Sequence, residues 1–568
     1  MGMRRVILPI LLAVATQASA QAPKAKPAGA PAAGPPVLLG MENLKNASWG
    51  PLVPEYAMEI TSNGPSPADL TNRGLYQLQL FRSPQAARHF LAALREDPSC
   101  AMAWVGLYLS LLEGGDASAP DRKSCLKHAL DRRAACNARE QAWIDALDAL
   151  HQRGAGGFAV ALEGIRQQFP GDHNTKIWLP LMLRDGYDAA NEPRPGQRAA
   201  EALLGILLAK RPADPIVLHA WCQLALVGPK PEVALGQARL LDSLDPPSAY
   251  FHQAAGMVMF RCGDAGAAAA AFDAARRFEE RGLAEDGIAP VAAPTYFDNL
   301  DCLAIALIES GRRADALTIA RAASSIHMPW NNSGATAIRE FAVFTLTAET
   351  RIHARCGDWH KATETLPPAG HPAIKNLPFA ACWVESLRHY YDGRQAVLDG
   401  NGKALHAALK ASEDNFALLA KLATEGARSV KSPRWSEVLQ LADMFQYELR
   451  AAEKMFAKDR EGAAVWWRSA ASKYPDGRTR AVPRWPVSPE ESMAATLARA
   501  GDPPAAVQVW EQVARDHPGS GWALRGLHQA RLATGDKTGA AATMRALRTA
   551  WPGADADLIP PGDAPGDR

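Results

Sequence analysis

The chain is 568 residues long, with 62 lysines and arginines against 60 aspartates and glutamates. That near balance, without a basic tract, argues against nucleic acid or an anionic membrane surface as partner. The length exceeds what one hydrophobic core usually holds, and an alanine-rich composition with few β-branched runs suits a helical repeat array.

The first 20 residues read as an export signal. Arg4 and Arg5 form a charged start, Val6 to Val14 an apolar core, and Ala18-Ser19-Ala20 a small-residue cleavage site before Gln21. The apolar run falls short of the ~20 residues that span a bilayer. The expectation is cleavage after Ala20 and a periplasmic or secreted product, by ordinary secretion or by the twin-arginine route that the Arg pair permits. Without Arg4 and Arg5 the mature chain carries 60 basic against 60 acidic residues. No later segment is long and apolar enough to insert in a membrane. Residues 21–64 read as an Ala/Pro/Gly-rich tether followed by a lead-in.

From residue 65 one pattern recurs: Ala86-x3-Phe90-x2-Ala93-x4-Pro98. Ala463, Trp467, Ala470 and Pro475 repeat it, as do Ala506, Trp510, Val513 and Pro518, and Ala540, Met544, Leu547 and Pro552. Degenerate copies begin at Ala200, Ala234, Ala268 and Ala316. Proline follows proline after 34 residues from Pro212 to Pro246 and again from Pro518 to Pro552. Small residues let two antiparallel helices approach, the bulky one fills the gap, and proline stops the second helix. This period and stripe are those of the tetratricopeptide repeat. The expected fold is all-α: a right-handed α-α superhelix of about eleven or twelve hairpins in one curved array. Gly282 to Pro294, Leu366 to Pro378 and Gly477 to Pro489 interrupt the rhythm and read as loops. The first divides an N-terminal array, 65–281, from a C-terminal one, 282–552, and 553–568 reads as a disordered tail.

Several stretches resemble a family of exported or multidomain bacterial tetratricopeptide repeat proteins. They are Asn72 to Leu112, with its A-x3-F-x2-A and DP-x-C-A-M-A segments, Asn137 to Leu147, Ala354 to Trp359, and Asp516 to Asp536. Family members often carry His-Met-Pro-Ser-His in a central repeat and Trp-His-Tyr-Ala-Arg further on. Here Gln253 to Met257 and Trp383 to Leu387 stand in those places without the histidines. The resemblance therefore implies the fold and carries over no activity.

His353-x2-Cys356-x3-His360 has the spacing of metal ligands on one helix face, but Gly357-Asp358 should end that helix and turn His360 away. There is no His-Glu-x-x-His helix, no Gly-x-Ser-x-Gly elbow and no phosphate-binding glycine loop. No catalytic residue, cofactor or metal is assigned. Among the 15 tryptophans, Trp435, Trp466, Trp467 and Trp485 lie near the regular C-terminal repeats. An exposed one would suit a partner anchor, whereas Trp467 and Trp510 hold the bulky core position.

The expected function is a non-catalytic scaffold of the cell envelope that binds a protein or peptide on the face made by first helices of successive hairpins. Projected spacing places Glu448, Glu491, Arg525 and Gln529 there. An exported α/α-toroid enzyme acting on carbohydrate, with two carboxylates ~5–10 Å apart, remains an alternative, as does a structural subunit of envelope machinery. Eight cysteines in an exported chain suggest a disulfide. Cys100 opens one helix and Cys136 closes its antiparallel partner, just before Asn137-x2-Glu140, which reads as the next helix cap. Those two are the candidate pair. Cys125 lies about 16 Å along the helix from Cys136 and cannot reach it.

Overall fold

The computed structural model describes residues 53–112, 118–287, 289–290, 293–328, 341–426, 433–474 and 480–560. Residues 1–20, expected to be an export signal, the expected tether up to residue 52 and the final residues 561–568 lie outside them. The protein is an all-α array of tetratricopeptide-like hairpins. Among the described residues the extended structure is one isolated bridge, Tyr187 to Pro193. The chain divides into two compact units. One holds the described residues up to Val258 with Ala274–Ala292; the other holds Met259–Asp273 and those from Ala293 onward.

The first unit pairs α1 (Pro65–Gln79) with α2 (Ser83–Glu96), and α3 (Ala101–Ser110) with α4 (Ala119–Arg132). Next comes α5 (Ala138–Gln168), which bends sharply at Gly154. That residue has φ 68°, a left-handed value that glycine adopts without steric cost, so α5 is itself a hairpin of two helical halves. Then α6 (His173–Leu183) packs on α7 (Pro195–Lys210), and α8 (Pro215–Ala225) on α9 (Leu235–Ser243). Helices α10 (Ala249–Arg261) and α11 (Ala265–Asp286) carry the chain between the units.

The repeat stripe is the core. Ala86, Phe90 and Ala93 are wholly buried. A Cβ added at Gly74 or Gly106 would fall 2.5 or 2.1 Å from the Phe90 ring, so the ring sits flush on the backbones of α1 and α3. The lead-in is tied down too. Tyr56 is buried and its hydroxyl donates to Asp214 at 2.9 Å, and Thr61 bonds Glu140 through both its N–H and its hydroxyl.

The second unit contains α12 (Pro294–Glu309), α13 (Arg313–Ser324), α14 (Ala348–Arg355), α15 (Trp359–Glu364), the short α16 (Pro372–Asn376), α17 (Pro378–Asp399) and α18 (Gly402–Gly426). It continues with α19 (Pro433–Phe456), α20 (Arg460–Ala471), α21 (Pro489–Arg499), α22 (Pro503–Asp516), α23 (Gly521–Ala533) and α24 (Lys537–Ala550). The stripe recurs: a Cβ at Gly526 would meet the Trp510 ring at 2.4 Å.

This unit departs from an open array, because its first and last hairpins touch. The Trp522 and Trp551 indoles donate to the carbonyls of Ile308 and Glu309 at 3.0 and 2.7 Å. Residues 553–560, expected to be disordered, are folded here. Asp555 receives a bond from the Ala314 N–H at 2.7 Å, Asp557 pairs with Arg313 at 3.0 Å, and Leu558 is buried. The Asp555 carboxylate at the start of α13 answers one of its open N–H groups, an end effect that composition alone does not reveal.

The expected loop before Pro489 is the second departure. Its described part, residues 480–488, has no helix yet carries Arg484 and Trp485, both essentially without solvent contact. The Trp485 ring packs edge-on against Tyr390 at 5.4 Å and Phe445 at 4.8 Å, and parallel to Tyr391 at 6.2 Å. It is a core residue and no partner anchor.

Candidate interaction surface

Two kinds of polar site result in the second unit, one interior and one on the surface. In the interior, Asp301 of α12 lies between two arginines. The Arg351 guanidinium of α14 reaches it at 2.5 Å and Arg484 at 2.9 Å. Arg484 and Arg480 also pair with Asp298, each at 2.8 Å. Burial pushes the Asp301 carboxyl up, but the Arg351 and Arg484 charges outweigh it and hold it below the usual range. Nearby, Arg355 bridges Glu309 at 2.6 Å and Glu491 at 2.9 Å, with its guanidinium 4.8 Å from the Trp522 ring. These bonds join α12, α14, the segment before α21, α21 and α23. Their chemistry is mutual neutralisation, since each acid faces a guanidinium.

Glu448 belongs to this interior. It is fully buried in α19, accepts a 2.6 Å bond from the Tyr390 hydroxyl, and lies 3.9 Å from Arg394. Burial pushes its carboxyl up to about 7, against the opposing pull of Arg394 and Tyr390. Glu491 is buried as well: it closes a capping box with Ser488 at the start of α21. The expectation that both line a partner-binding groove is therefore corrected. First helices of this unit turn these positions inward, where other helices cover them. The Ser488-x2-Glu491 spelling is a capping signal that marks Glu491 as structural in advance. Arg525 is half-buried, 5.6 Å from the Trp522 ring, and donates to the Leu558 carbonyl at 3.1 Å. Of the four, Gln529 is exposed.

Cys100 and Cys136 are free thiols in the structure. The Cys100 sulfur lies 3.5 Å from the Thr71 hydroxyl, and the Cys136 thiol donates to the Arg132 carbonyl at 3.4 Å. Burial raises both thiols, Cys136 to about 11. The expected bond is not formed; each sulfur has a local polar partner instead. The His353–Cys356–His360 spacing is split as its glycine implies. α14 ends at Arg355, Gly357 turns the chain, and His360 lies on α15. Among the described residues no cluster of three His, Cys, Asp or Glu side chains is placed to hold a metal.

On the surface, a groove of about 370 Å³ runs between α18, α19 and α20. His406, Leu409, Lys410 and Glu413 come from α18, Arg450, Glu453 and Lys454 from α19, and Trp466 from α20. Trp467 turns into the core and leaves its neighbour half-exposed, as the repeat position requires. The Arg450 guanidinium lies 4.3 Å from the Trp466 ring and is anchored by Glu413, while Tyr447 packs on Trp466 at 5.5 Å. His406 meets Glu453 at 2.6 Å. A second groove, about 270 Å³, lies between α15, α17 and α18 and is lined by Trp359, His360, Glu364, Asp392 and Asp399. Each groove is shared between second helices of hairpins and one first helix, α19 in the larger and α17 in the smaller.

No protein-family model matches the chain, and no curated protein matches it by sequence. Solved structures do show likeness. The Naa15/Naa10 complex bound to HypK shares 16% identity over 74% of this chain, with a TM-score of 0.26. This chain spans 65% of that one, under two thirds of its length. The human IFIT1 dimer with PPP-AAAA is 15% identical over 85% of this chain and 94% of its own, with a TM-score of 0.32. Yeast Tom70 is 15% identical over 85% of this chain and 91% of its own, with a TM-score of 0.23. Similarities this distant assign neither partner nor activity.

Proposed function

We propose that the protein is a non-catalytic interaction scaffold of the bacterial cell envelope that holds a partner protein on the outer surface of its second unit. The observation that carries this is Trp466, half-exposed yet fixed between Arg450 and Tyr447. Tryptophan and arginine dominate binding hot spots, and an aromatic already held in place loses little freedom on contact. The buried acids support the same reading, because arginines and a tyrosine occupy them. The reading shifts the contact from the face of Glu448 and Glu491, which is inside, to the groove where α18 and α20 meet the opposite side of α19.

Export follows from the charged, apolar and small-residue order of residues 1–20. Crosslinking and affinity capture from periplasm, followed by identification of bound proteins, tests the scaffold. A protein retained by the wild type and released by Trp466→Ala supports it; identical retention refutes the surface. Mass spectrometry of the mature N-terminus tests export, with Gln21 as the first residue expected.

A further inference from the structure

We infer that the groove between α18, α19 and α20 receives an acidic peptide segment, one apolar side chain lying against Trp466 and Leu409 with carboxylates beside Lys410 and Lys454. This rests on the scaffold reading and names the chemistry of the partner.

The charge of the lining is the reason. Of its two carboxylates, Glu413 is paired with Arg450, and Glu453 shares a hydrogen bond with the His406 imidazole. The cations outnumber them. Lys410 is exposed on α18 with no ion pair among the described residues, and Lys454 shares only Asp459, at 3.2 Å, on the groove's margin. A ligand therefore meets the Lys410 ammonium, and the Lys454 ammonium that Asp459 shares, beside a fixed aromatic floor. A basic segment would face the same ammoniums with one carboxylate, Glu453, not held by an arginine, and a like-charge approach is unfavourable. The floor is apolar as well: Leu409 is buried under the groove, and the aliphatic stems of Lys410 and Lys454 border it. Carboxylates flanking one Leu or Phe satisfy both features, and their attraction should weaken with salt because the lysines are near the surface.

The test is fluorescence anisotropy with the full mature chain and three fluorescein-labelled peptides. Each carries the same Phe and Leu, flanked by Glu, by Gln or by Lys. The Glu peptide should bind about tenfold or more tightly than the others and weaken as salt rises. Trp466→Ala and the double variant Lys410→Glu, Lys454→Glu should each lose that binding with unchanged helical circular dichroism. Because the double variant lies on the surface, it answers even where Trp466→Ala perturbs folding. Equal affinity for the three peptides, or full binding by the double variant, overturns the proposal. So does self-association abolished by the double variant, which would make a second copy the occupant. An envelope protein captured by both wild type and double variant would leave the scaffold standing and remove this groove from it.

Discussion

The two units bury charge in different ways. In the first, buried acids sit at helix ends and mostly bind neutral donors. Glu140 completes a capping box with Asn137 at the start of α5 and takes Thr61, while Asp172 caps α6 through the Thr175 N–H at 2.8 Å, takes the Trp143 indole at 3.0 Å and pairs with one nearby arginine, Arg139, at 2.7 Å. In the second, the interior acids bind arginines far away in sequence, wherever they stand on their helices: Asp301 with Arg351 and Arg484, Glu309 and Glu491 with Arg355. Caps satisfy groups that every helix leaves open, so they add to stability one at a time. Buried ion pairs contribute little net over an apolar core, yet removing one partner strands the other without solvent. The first unit should therefore lose stability in small steps, and the second all at once.

The largest effect should come from breaking the second unit's centre. Asp301→Ala leaves Arg351 and Arg484 facing each other in a dry interior and should cost about 3–5 kcal/mol in urea unfolding. A loss under about 1 kcal/mol would show that water reaches the site and that the contrast is false.

The next concerns pH. The folded Glu448 carboxyl is held up to about 7, above its usual 4.5, so the folded state keeps its proton more tightly than the unfolded chain. That stabilisation is complete below the unfolded value and is lost as pH rises through 7. Wild-type stability should fall between pH 5 and pH 8 by up to about 3 kcal/mol from this group. Glu448→Gln, which needs no proton, should flatten that part of the profile; an unchanged slope would assign the titration elsewhere.

A smaller effect belongs to what the units share. Gly106→Ala would drive a Cβ into the wholly buried Phe90 ring, and Gly526→Ala into the half-buried Trp510 ring. Overpacking of this kind costs about 1–3 kcal/mol, with Gly106 the worse because Phe90 has nowhere to move. Thermal melts showing the reverse order would mean that Trp510 is the more confined ring. The smallest effect is a cap. Asn137→Ala, which removes the side-chain acceptor at the start of α5, should cost about 1 kcal/mol and melt without changing cooperativity.

Sequence alone determined the helical hairpins. The alanine–bulky–small stripe and its proline period are local, and every copy whose residues are described buries its first alanine. The Asn137-x2-Glu140 cap was legible for the same reason: donor, acceptor and helix start lie within four residues. Cys100 and Cys136 show the limit of such reasoning, since antiparallel geometry allows their approach while the structure gives each sulfur another partner. Trp466 was one of four tryptophans named near the C-terminal repeats, but the groove around it needed three helices to be assembled. Only tertiary structure decided the inside of the second unit. Arg484 and Trp485 stand in a proline-flanked stretch that reads as loop, and their partners Asp301 and Tyr390 lie far upstream. Helical periodicity reports which face a residue takes, not what will cover it. Glu448 and Glu491 sit on the face that an open array would leave bare, and side chains of other helices cover them: Tyr390 and Arg394 over Glu448, Arg355 over Glu491.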